Sequence, residues 1–375
     1  MDITVAIPVY NADIYIVSAL RSVLEQDFGG DYEIIVVDDH GTDHSMDEVR
    51  ALQRAHSRGH LIRVIRPERN VGQAKGREMA LQAAQGRCFY MMDADDLILP
   101  HTLSFLYNLQ ETHNADFVAA SCAWGEDAAQ RMVFDNVTLK DNRSIQYYNA
   151  RYASWCCIWN ILYKTDFLKQ CGFVIDDRNM TGVDDIYLRL QVMEKARYAV
   201  FCSEITYLYR WNTSSESTQL MYKRRWEELL EDGIRFHEVY MRPTAWPKET
   251  DGKGVVCQGL KVKRAAWHAM ALCGRLLCAK DGVLDAGARR YLRRLLVFPI
   301  PGNWVQTIGR IIRLDDYRLK VLAVYGLYCL PTGLKTRYAY RYGRKMYGAI
   351  ASSDGNRADW ESRMTAFYMQ GRTSR

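Results

Sequence analysis

The chain has 375 residues, 48% of them hydrophobic, with 50 basic and 44 acidic side chains and a net charge of +6. This composition excludes an intrinsically disordered or collagen-like protein, and the length predicts two or three domains. The charge is unevenly divided, because residues 1–250 carry 27 basic and 36 acidic side chains, whereas residues 251–375 carry 23 and 8. This contrast predicts an acidic and a basic part with different surroundings.

The N-terminal part alternates short β-branched runs with segments of helical period. The predicted strand and helix pairs are Ile3–Pro8 with Ile14–Glu25, Glu33–Val37 with Met46–Ala55, Leu61–Ile65 with Gln73–Gln85, and Arg87–Met92 with His101–Gln110. This alternation predicts an α/β fold, a mainly parallel sheet with helices on both faces. The strand segments are continuously apolar, as expected for strands that are covered on both faces.

A mixed pattern follows the first four pairs and ends near residue 210. It predicts strands at Phe117–Ser121, Met132–Phe134 and Ile158–Tyr163, helices at Thr165–Gln170 and Asp184–Lys195, and extended segments at Tyr198–Cys202 and Ile205–Arg210. From about residue 216 the pattern is helical with short breaks. We therefore predict an α/β domain over residues 1–220 and a C-terminal helical region over residues 221–375.

Three carboxylates directly follow the predicted fourth strand. Asp93, Asp95 and Asp96 lie within four residues, and such a cluster repels itself unless a cation or a helix terminus compensates the charge. Carboxylate oxygens suit Mg²⁺ or Mn²⁺, which completes its shell with water and substrate phosphates. The alternative is structural, with Asp96 as a helix N-cap and the other two in a solvated turn.

A second acidic pair, Asp38 and Asp39, ends the predicted second strand. In open parallel sheets ligands bind beyond the carboxyl ends of the strands, and acidic residues there bind the ribose or base of a nucleotide. The alternative for this pair is a polar turn before a helix. The sequence has neither a Gly-x-Gly-x-x-Gly motif after the first strand nor a P-loop, which disfavours a Rossmann dehydrogenase and a P-loop NTPase.

Four motifs in chain order carry a family resemblance: Val5–Asn11, Val36–Asp43, Asn70–Gly72 and Phe89–Asp96. In order and spacing they closely resemble the GT-A fold glycosyltransferases of family 2, over roughly residues 3–220. Two later segments agree with the family's Glu-Asp motif and with its closing Tyr-Arg and Ser segment; they are Gly182–Arg189 and Tyr209–Thr218. In addition, Trp159–Tyr163 resembles the strand that family members place between the acceptor and donor regions.

The resemblance implies a role for each matched residue. Pro8, Val9 and Tyr10 would line the nucleobase pocket, and Asp39 would bond the base. Asn70, Gly72 and Lys75 would lie along the nucleotide, with Asp93 and Ala94 near the ribose. Asp95 would bind the metal ion, Mg²⁺ or Mn²⁺, and Asp185 would act as the general base.

Two positions depart from the family pattern. Where the family usually has Ala-Arg-Asn, this chain has Gly76-Arg77-Glu78, and where the family has Glu-Asp it has Asp184-Asp185. Sugar transfer needs a base that deprotonates the acceptor hydroxyl, and a carboxylate near a helix start stays ionised. The alternative for Asp185 is an N-cap carboxylate, which is compatible with the same geometry.

The basic C-terminal region predicts a contact with an anionic surface. Residues 310–347 hold nine Lys or Arg and seven Tyr around the apolar segment Val321–Leu330. Together with Phe298–Trp304 this pattern is typical of an interfacial membrane segment, or equally of a helical bundle packed on the catalytic domain. No nucleic-acid motif accompanies the basic residues.

The N-terminus and the cysteines predict the compartment. No signal sequence precedes the first strand, the ten cysteines form no Cys-x-x-Cys pair, and no apolar run reaches the ~20 residues that span a bilayer. We therefore expect a cytoplasmic protein, located at the inner face of the cytoplasmic membrane if the C-terminal region binds lipid. A helical tail could equally form a homodimer.

The hypothesis from sequence is a metal-dependent inverting glycosyltransferase. Its donor would be a nucleotide diphosphate sugar, with a UDP-sugar as first choice, and its acceptor a hydroxyl of a glycan or lipid-linked molecule in cell-surface polysaccharide synthesis. No nucleic acid is expected as a partner. The alternatives are a polyprenyl-phosphate glycosyltransferase, whose anionic acceptor needs no base, and a degenerate GT-A domain that only binds.

Overall fold

A computed structural model describes residues 1–124, 130–151, 157–172, 184–210 and 212, together with residues 286, 331, 334, 337 and 341. The chain divides into two compact units: Met1–Ile145 with Cys157–Asn212, and Gln146–Cys156 with Thr213–Arg375. Several predictions lie outside the described residues, namely Gly182-Val183, Ser217-Thr218, Phe298–Trp304, Val321–Leu330 and, apart from Arg337 and Arg341, the basic and Tyr-rich pattern around them. The side chain of Asp184 also lies outside them.

The described residues include ten strands, seven α-helices and one short 3-10 helix, Gly59–Leu61. The strands are β1 (Ile3–Val9), β2 (Tyr32–Asp38), β3 (Ile62–Ile65), β4 (Cys88–Met91), β5 (Leu97–Ile98), β6 (Phe117–Trp124), β7 (Gln130–Met132), β8 (Val137–Leu139), β9 (Ile161–Lys164) and β10 (Ala199–Tyr209). The helices are α1 (Asp13–Leu24), α2 (Ser45–Ala55), α3 (Gln73–Ala83), α4 (Thr102–His113), α5 (Asn142–Arg151), α6 (Thr165–Cys171) and α7 (Asp184–Lys195).

One sheet runs through the N-terminal unit, in the order β3-β2-β1-β4-β9-β6-β10-β5. The first four strands pair in parallel, and β10 is also parallel to β6. Strand β9 is antiparallel to both of its neighbours, β4 and β6. The chain moves outward from β1 to β3 and then returns to β4 on the other side of β1. The strand order therefore reverses at β1, and the crevice at the carboxyl end of β1 is the switch point where such sheets bind ligands.

The burial of the strands explains their composition. Every residue of β1, β2 and β4 is buried, so both faces of these strands must be covered. The connection from β3 to β4 crosses the sheet in the direction opposite to the connections from β1 to β2 and from β2 to β3. Because such connections are right-handed, α3 covers the face opposite to α1 and α2. Helix α3 packs on β1 and β2, whereas α1 packs on α2 and β5.

The α/β prediction and most predicted elements are confirmed, usually to within three residues at each end. Three details differ. The predicted strand Met132–Phe134 is Gln130–Met132, and the two extended segments after Tyr198 form one strand, β10, with register shifts between Cys202 and Tyr207. The short strands β5 and β8 were not predicted, because two or three residues carry no periodic signal. Within the part of the chain that the structure describes, no helix has the length and apolar character that crossing a bilayer requires.

Candidate functional site

The carboxyl ends of β1, β2 and β4 meet at one edge of the sheet. Tyr10 follows β1 and is 55% exposed, whereas Pro8 and Val9 are buried within the strand. Pro8 lies beneath α3, since a methyl group added at Gly76 would lie 3.7 Å from the Pro8 Cβ. That is ordinary van der Waals contact, so the family's alanine would fit at Gly76. Of the three predicted nucleobase residues, Tyr10 is the one whose side chain is exposed.

Asp39 fastens the loop between β3 and α3. It is 4% exposed, and its two carboxylate oxygens accept hydrogen bonds from the backbone N–H groups of Val71 (2.7 Å) and Gly72 (2.9 Å). The side-chain amide of Asn70 donates to the Asp39 carbonyl at 2.8 Å. Burial raises the pKa of Asp39, and the two backbone hydrogen bonds oppose that rise. The structure thus brings three predicted residues, Asp39, Asn70 and Gly72, into one interlocked group.

Gly72 has a backbone that side chains rarely adopt. Its φ is 80° and its ψ is 163°, in a region that is essentially restricted to glycine. This conformation turns the chain into the first residue of α3 while the amide of Gly72 still reaches Asp39. Lys75, on the first turn of this helix, pairs with Glu78 at 2.6 Å.

Asp38 and His40 complete the end of β2. One Asp38 oxygen accepts the backbone N–H of His40 at 3.2 Å, and the other lies 3.5 Å from Nε of Arg66. Arg66 also donates to Nδ1 of His40, while Nε2 of His40 lies 2.7 Å from the carbonyl of Pro67. Because Nδ1 accepts, Nε2 carries the proton and donates. Asp38 is therefore occupied in fixing the turn.

The acidic cluster predicted after β4 is present. One carboxylate oxygen from each of Asp93, Asp95 and Asp96 lies within 4.8 Å of the other two. Asp96 is fully buried, and its oxygens accept hydrogen bonds from the Tyr207 hydroxyl (2.6 Å) and the Arg210 backbone N–H (2.8 Å). Burial, and then its acidic neighbours, raise the pKa of Asp96 well above its usual value. The N-cap alternative for Asp96 is wrong, because β5 and not a helix follows it.

Asp95 is the cluster member best placed to hold a cation. It is half-buried, and burial followed by the neighbouring Asp93 raises its pKa. Its Oδ2 accepts a hydrogen bond from Asn212 at 2.8 Å, which orients the carboxylate. The guanidinium of Arg210 holds the Asp95 carbonyl at 2.5 Å. Clustered carboxylate oxygens fit a hard cation such as Mg²⁺ or Mn²⁺. Asp96 contributes less to that fit because both of its oxygens are engaged.

Arg77 connects this cluster to the predicted base. Its side chain is 1% exposed, and Nη2 donates to Asp93 Oδ1 at 2.6 Å while Nη1 donates to Asp185 Oδ1 at 2.9 Å. Gln73 donates to the same oxygen of Asp93 at 3.1 Å. Asp185 lies in the first turn of α7, and its side chain is 34% exposed. The structure therefore brings Asp93 and Asp185 to one guanidinium. Ala94, the residue after Asp93, is buried.

Sequence reasoning assigned no role to Arg77, Gln73, Tyr207 or Asn212. For Arg77 there was a signal, because it lies on the same helical face as Ala74 and Leu81, both buried. A charged residue on a buried face needs a partner and thereby points to a site. Tyr207 and Asn212 are more than a hundred residues from the acidic cluster, and no sequence spacing connects them.

In the segment Trp159–Tyr163, Asn160 has a structural role. Asn160 is buried with φ 57°, and its amide donates to the carbonyls of Ala120 and Ser121. Its oxygen accepts from Thr206 and Tyr90. Asn160 thus joins β4, β6 and β10 just before β9 begins.

Comparisons with known proteins agree with this geometry. The family model "Glycosyl transferase family 2" matches residues 4–170. The glycosyltransferase GlyG of Streptococcus pneumoniae is 31% identical over 31% of this chain and 37% of its own length. The Escherichia coli enzyme WfgD, a UDP-Glc:alpha-D-GlcNAc-diphosphoundecaprenol beta-1,3-glucosyltransferase, is 26% identical over 60% of this chain and 85% of its own length.

A solved structure shares the fold. The crystal structure of Staphylococcus aureus TarS residues 1–349 with UDP-GlcNAc has a TM-score of 0.61 at 17% identity, and the match covers 93% of this chain and 92% of TarS 1–349. At that identity the likeness shows the GT-A fold. Among the curated relatives, the chain spans 37% of GlyG and 66% and 39% of two others.

Proposed function

We propose that the protein, whose residues 4–170 match the glycosyltransferase family 2 model, transfers a sugar from a nucleotide diphosphate sugar to a hydroxyl group. The acceptor is a glycan or lipid-linked molecule in the synthesis of a bacterial cell-surface polysaccharide. The observation that carries this proposal is the acidic cluster of Asp93, Asp95 and Asp96 at the switch-point edge of the family 2 domain. WfgD, by its name, uses UDP-Glc and a diphosphoundecaprenol-linked acceptor, which supports a UDP-sugar donor and a lipid-linked acceptor here.

The donor nucleotide lies along the carboxyl ends of β1, β2 and β4. The exposed ring of Tyr10 stacks on the base, beside Pro8 and Val9. Asp39 bonds the base with the acceptor capacity that remains after its two backbone hydrogen bonds, because an ionised carboxylate accepts about four. Asn70, Gly72 and Lys75 follow the nucleotide along the start of α3, and Asp93 and Ala94 face the ribose.

Asp95 would hold Mg²⁺ or Mn²⁺, with Asp93 beside it. When bound, the ion supplies positive charge to the diphosphate leaving group. Asn212 keeps the Asp95 carboxylate oriented toward the crevice, as outer hydrogen bonds do for metal ligands. Tyr207 and Arg210 hold the turn that carries Asp95, through Asp96 and the Asp95 carbonyl.

Asp185 accepts the proton of the acceptor hydroxyl while the hydroxyl oxygen attacks the anomeric carbon of the donor sugar. The bond from that carbon to the diphosphate oxygen breaks as the new glycosidic bond forms, so the configuration inverts. A carboxylate in the first turn of a helix and paired with a guanidinium stays ionised, which a base requires. An ionised base is needed for a hydroxyl acceptor and not for a phosphate acceptor.

The basic region beyond residue 220 is the proposed docking surface for an anionic membrane, where a lipid-linked acceptor is located. Sedimentation of the full chain with vesicles of phosphatidylglycerol tests this proposal. Binding at low salt that is lost at high salt supports it, because the attraction is electrostatic. No binding at low salt contradicts it and leaves the transferase assignment intact.

The central experiment measures donor binding and turnover together. Calorimetric titration with UDP, with and without Mn²⁺, is combined with a screen of UDP-sugars for metal-dependent hydrolysis. We expect UDP to bind in the presence of Mn²⁺ and Asp95→Ala to abolish that dependence. Glu111→Gln is the matched control, because it removes an exposed carboxylate that pairs with Arg87, just before the amino end of β4 and so at the edge of the sheet opposite to Asp95.

Two results would contradict the proposal. No binding of UDP with Mn²⁺, or binding that Asp95→Ala leaves unchanged, would remove the support for a metal-dependent transferase. An Asp185→Asn variant that keeps the full transfer rate would favour an acceptor that is already an anion, such as a polyprenyl phosphate.

A further inference from the structure

The buried guanidinium of Arg77 lies between the two halves of the site. It reaches Asp93, at the end of β4, and Asp185, at the start of α7. These two carboxylates are 92 residues apart in the chain, as their numbers show. A buried arginine is tolerated only when its charge is paired, and Arg presents its donors in a rigid planar fork. The position of one carboxylate is thereby linked to that of the other.

We propose that Arg77 is a positioning residue that fixes the base Asp185 relative to the donor-side carboxylate Asp93. This inference rests on the proposed function, because it takes Asp185 as the base. The two hydrogen bonds, 2.6 and 2.9 Å long, are short and charge-assisted, so they restrict how Asp185 can rotate. With 34% of its side chain exposed, Asp185 still faces solvent and an acceptor. The acceptor oxygen is therefore deprotonated at a fixed place relative to the donor.

A lysine in place of Arg77 would keep the charge and lose the fork. One ammonium on a flexible stem cannot hold two carboxylates in a set geometry. If Arg77 acted through its charge alone, Arg77→Lys would restore the rate. If it acts by positioning, Arg77→Lys stays slow although the site keeps its net charge.

The test is a double-mutant cycle between Arg77→Met and Asp185→Asn. The assay is hydrolysis of whichever UDP-sugar the wild type turns over, with Mn²⁺ and saturating donor. Loss of a general base lowers kcat by roughly 10²–10⁴-fold, and a misplaced group costs about 10²-fold. We expect Arg77→Met to lower kcat about 10²-fold in the wild-type background. In the Asp185→Asn background it should change kcat by less than about threefold, because the group it positions is already gone.

Gln73→Leu is the matched control for the contact with Asp93. Gln73 donates to the same Asp93 oxygen as Arg77 does. We expect Gln73→Leu to act mainly on KM for the donor, and its effect should multiply with that of Asp185→Asn. Calorimetric binding of UDP and thermal unfolding of every variant separate a misfolded protein from a misaligned site. If Arg77→Met fails to fold, Arg77→Lys replaces it in the cycle.

The outcomes distinguish this inference from the proposed function. Losses in kcat that multiply for Arg77→Met and Asp185→Asn, or full recovery with Arg77→Lys, would overturn the positioning role and leave the transferase intact. A wild type that neither binds UDP nor hydrolyses a UDP-sugar would overturn both. A kcat effect of Arg77 that disappears with Asp185 supports the inference.

Discussion

Asp39→Asn tests whether one carboxylate holds the loop that begins α3. Both carboxylate oxygens accept backbone N–H groups, at 2.7 Å from Val71 and 2.9 Å from Gly72. Asparagine offers one oxygen, so its NH₂ group must face the second N–H. A hydrogen bond to a charged group contributes about 1.5–3 kcal/mol. Relief of the buried charge offsets part of that loss, and we expect a net cost of about 2 kcal/mol for holding the loop.

Hydrogen exchange at the amides of Val71 and Gly72 measures this cost directly. A local loss of about 2 kcal/mol should speed their exchange about 30-fold, because these amides lose the acceptor that protects them. Asp38→Asn is the matched control. Asp38 is equally buried, but its carboxylate accepts a hydrogen bond from the His40 amide and not from the loop. Asp38→Asn should therefore leave exchange at Val71 and Gly72 within about twofold of wild type.

Two results would refute this reasoning. Exchange in Asp39→Asn that stays within about threefold of wild type would mean that other contacts hold the loop. Equal acceleration in Asp38→Asn would mean that general loosening of the β2 end, and not the two hydrogen bonds, is responsible. UDP affinity, measured on the same samples, would then show whether the loop and the proposed nucleotide site are coupled.

Three further predictions concern stability. Gly72→Ala should lower the thermal unfolding midpoint, because φ 80° and ψ 163° cost a side chain about 1–3 kcal/mol, whereas Gly29→Ala, with open space around it, should not. Tyr207→Phe should lower the free energy of unfolding in urea by about 1–3 kcal/mol, because it leaves a buried oxygen of Asp96 without its donor; an unchanged urea midpoint would contradict this. Burial opposes ionisation of Asp43, but its hydrogen bonds outweigh burial and lower its pKa. Ionised Asp43 therefore stabilises the folded state at pH values above its unfolded-state pKa, and this stabilisation is lost as the pH falls through its lower folded-state pKa. The difference in thermal midpoint between wild type and Asp43→Asn should accordingly shrink from about pH 6 to about pH 3.

The proposed donor half of the site was largely readable from the sequence. Asp39, Gly72 and Asp93 each follow a continuously apolar strand or open a helix, and the carboxyl ends of parallel strands meet at one edge. The α/β alternation fixes which residues reach that edge. Motif order therefore predicted a shared crevice for residues more than eighty positions apart, at the first and the fourth strand.

The contacts within the site were not readable in this way. Asp38, Asp95 and Asp96 are all aspartates at strand ends, and the sequence does not distinguish them. In the structure each has different surroundings. Asp96 is fully buried under Tyr207 and Arg210, while Asp95 stays partly exposed beside Asn212. Those partners come from the end of β10, and which strand end lies above which turn depends on the packing of the whole sheet.

Local sequence patterns thus predicted the helices, strands and turns, because hydrophobic periodicity, glycines and acidic turn residues act over only a few positions of the chain. The motif order, by its resemblance to family 2 glycosyltransferases, indicated a sugar-transferase domain, and the charge distribution indicated a basic C-terminal region. The tertiary structure decided which of the acidic residues are structural and which face the crevice. It also decided that Arg77 joins Asp93 to Asp185, since a contact across 108 residues exists only once β4, α3 and α7 have packed together.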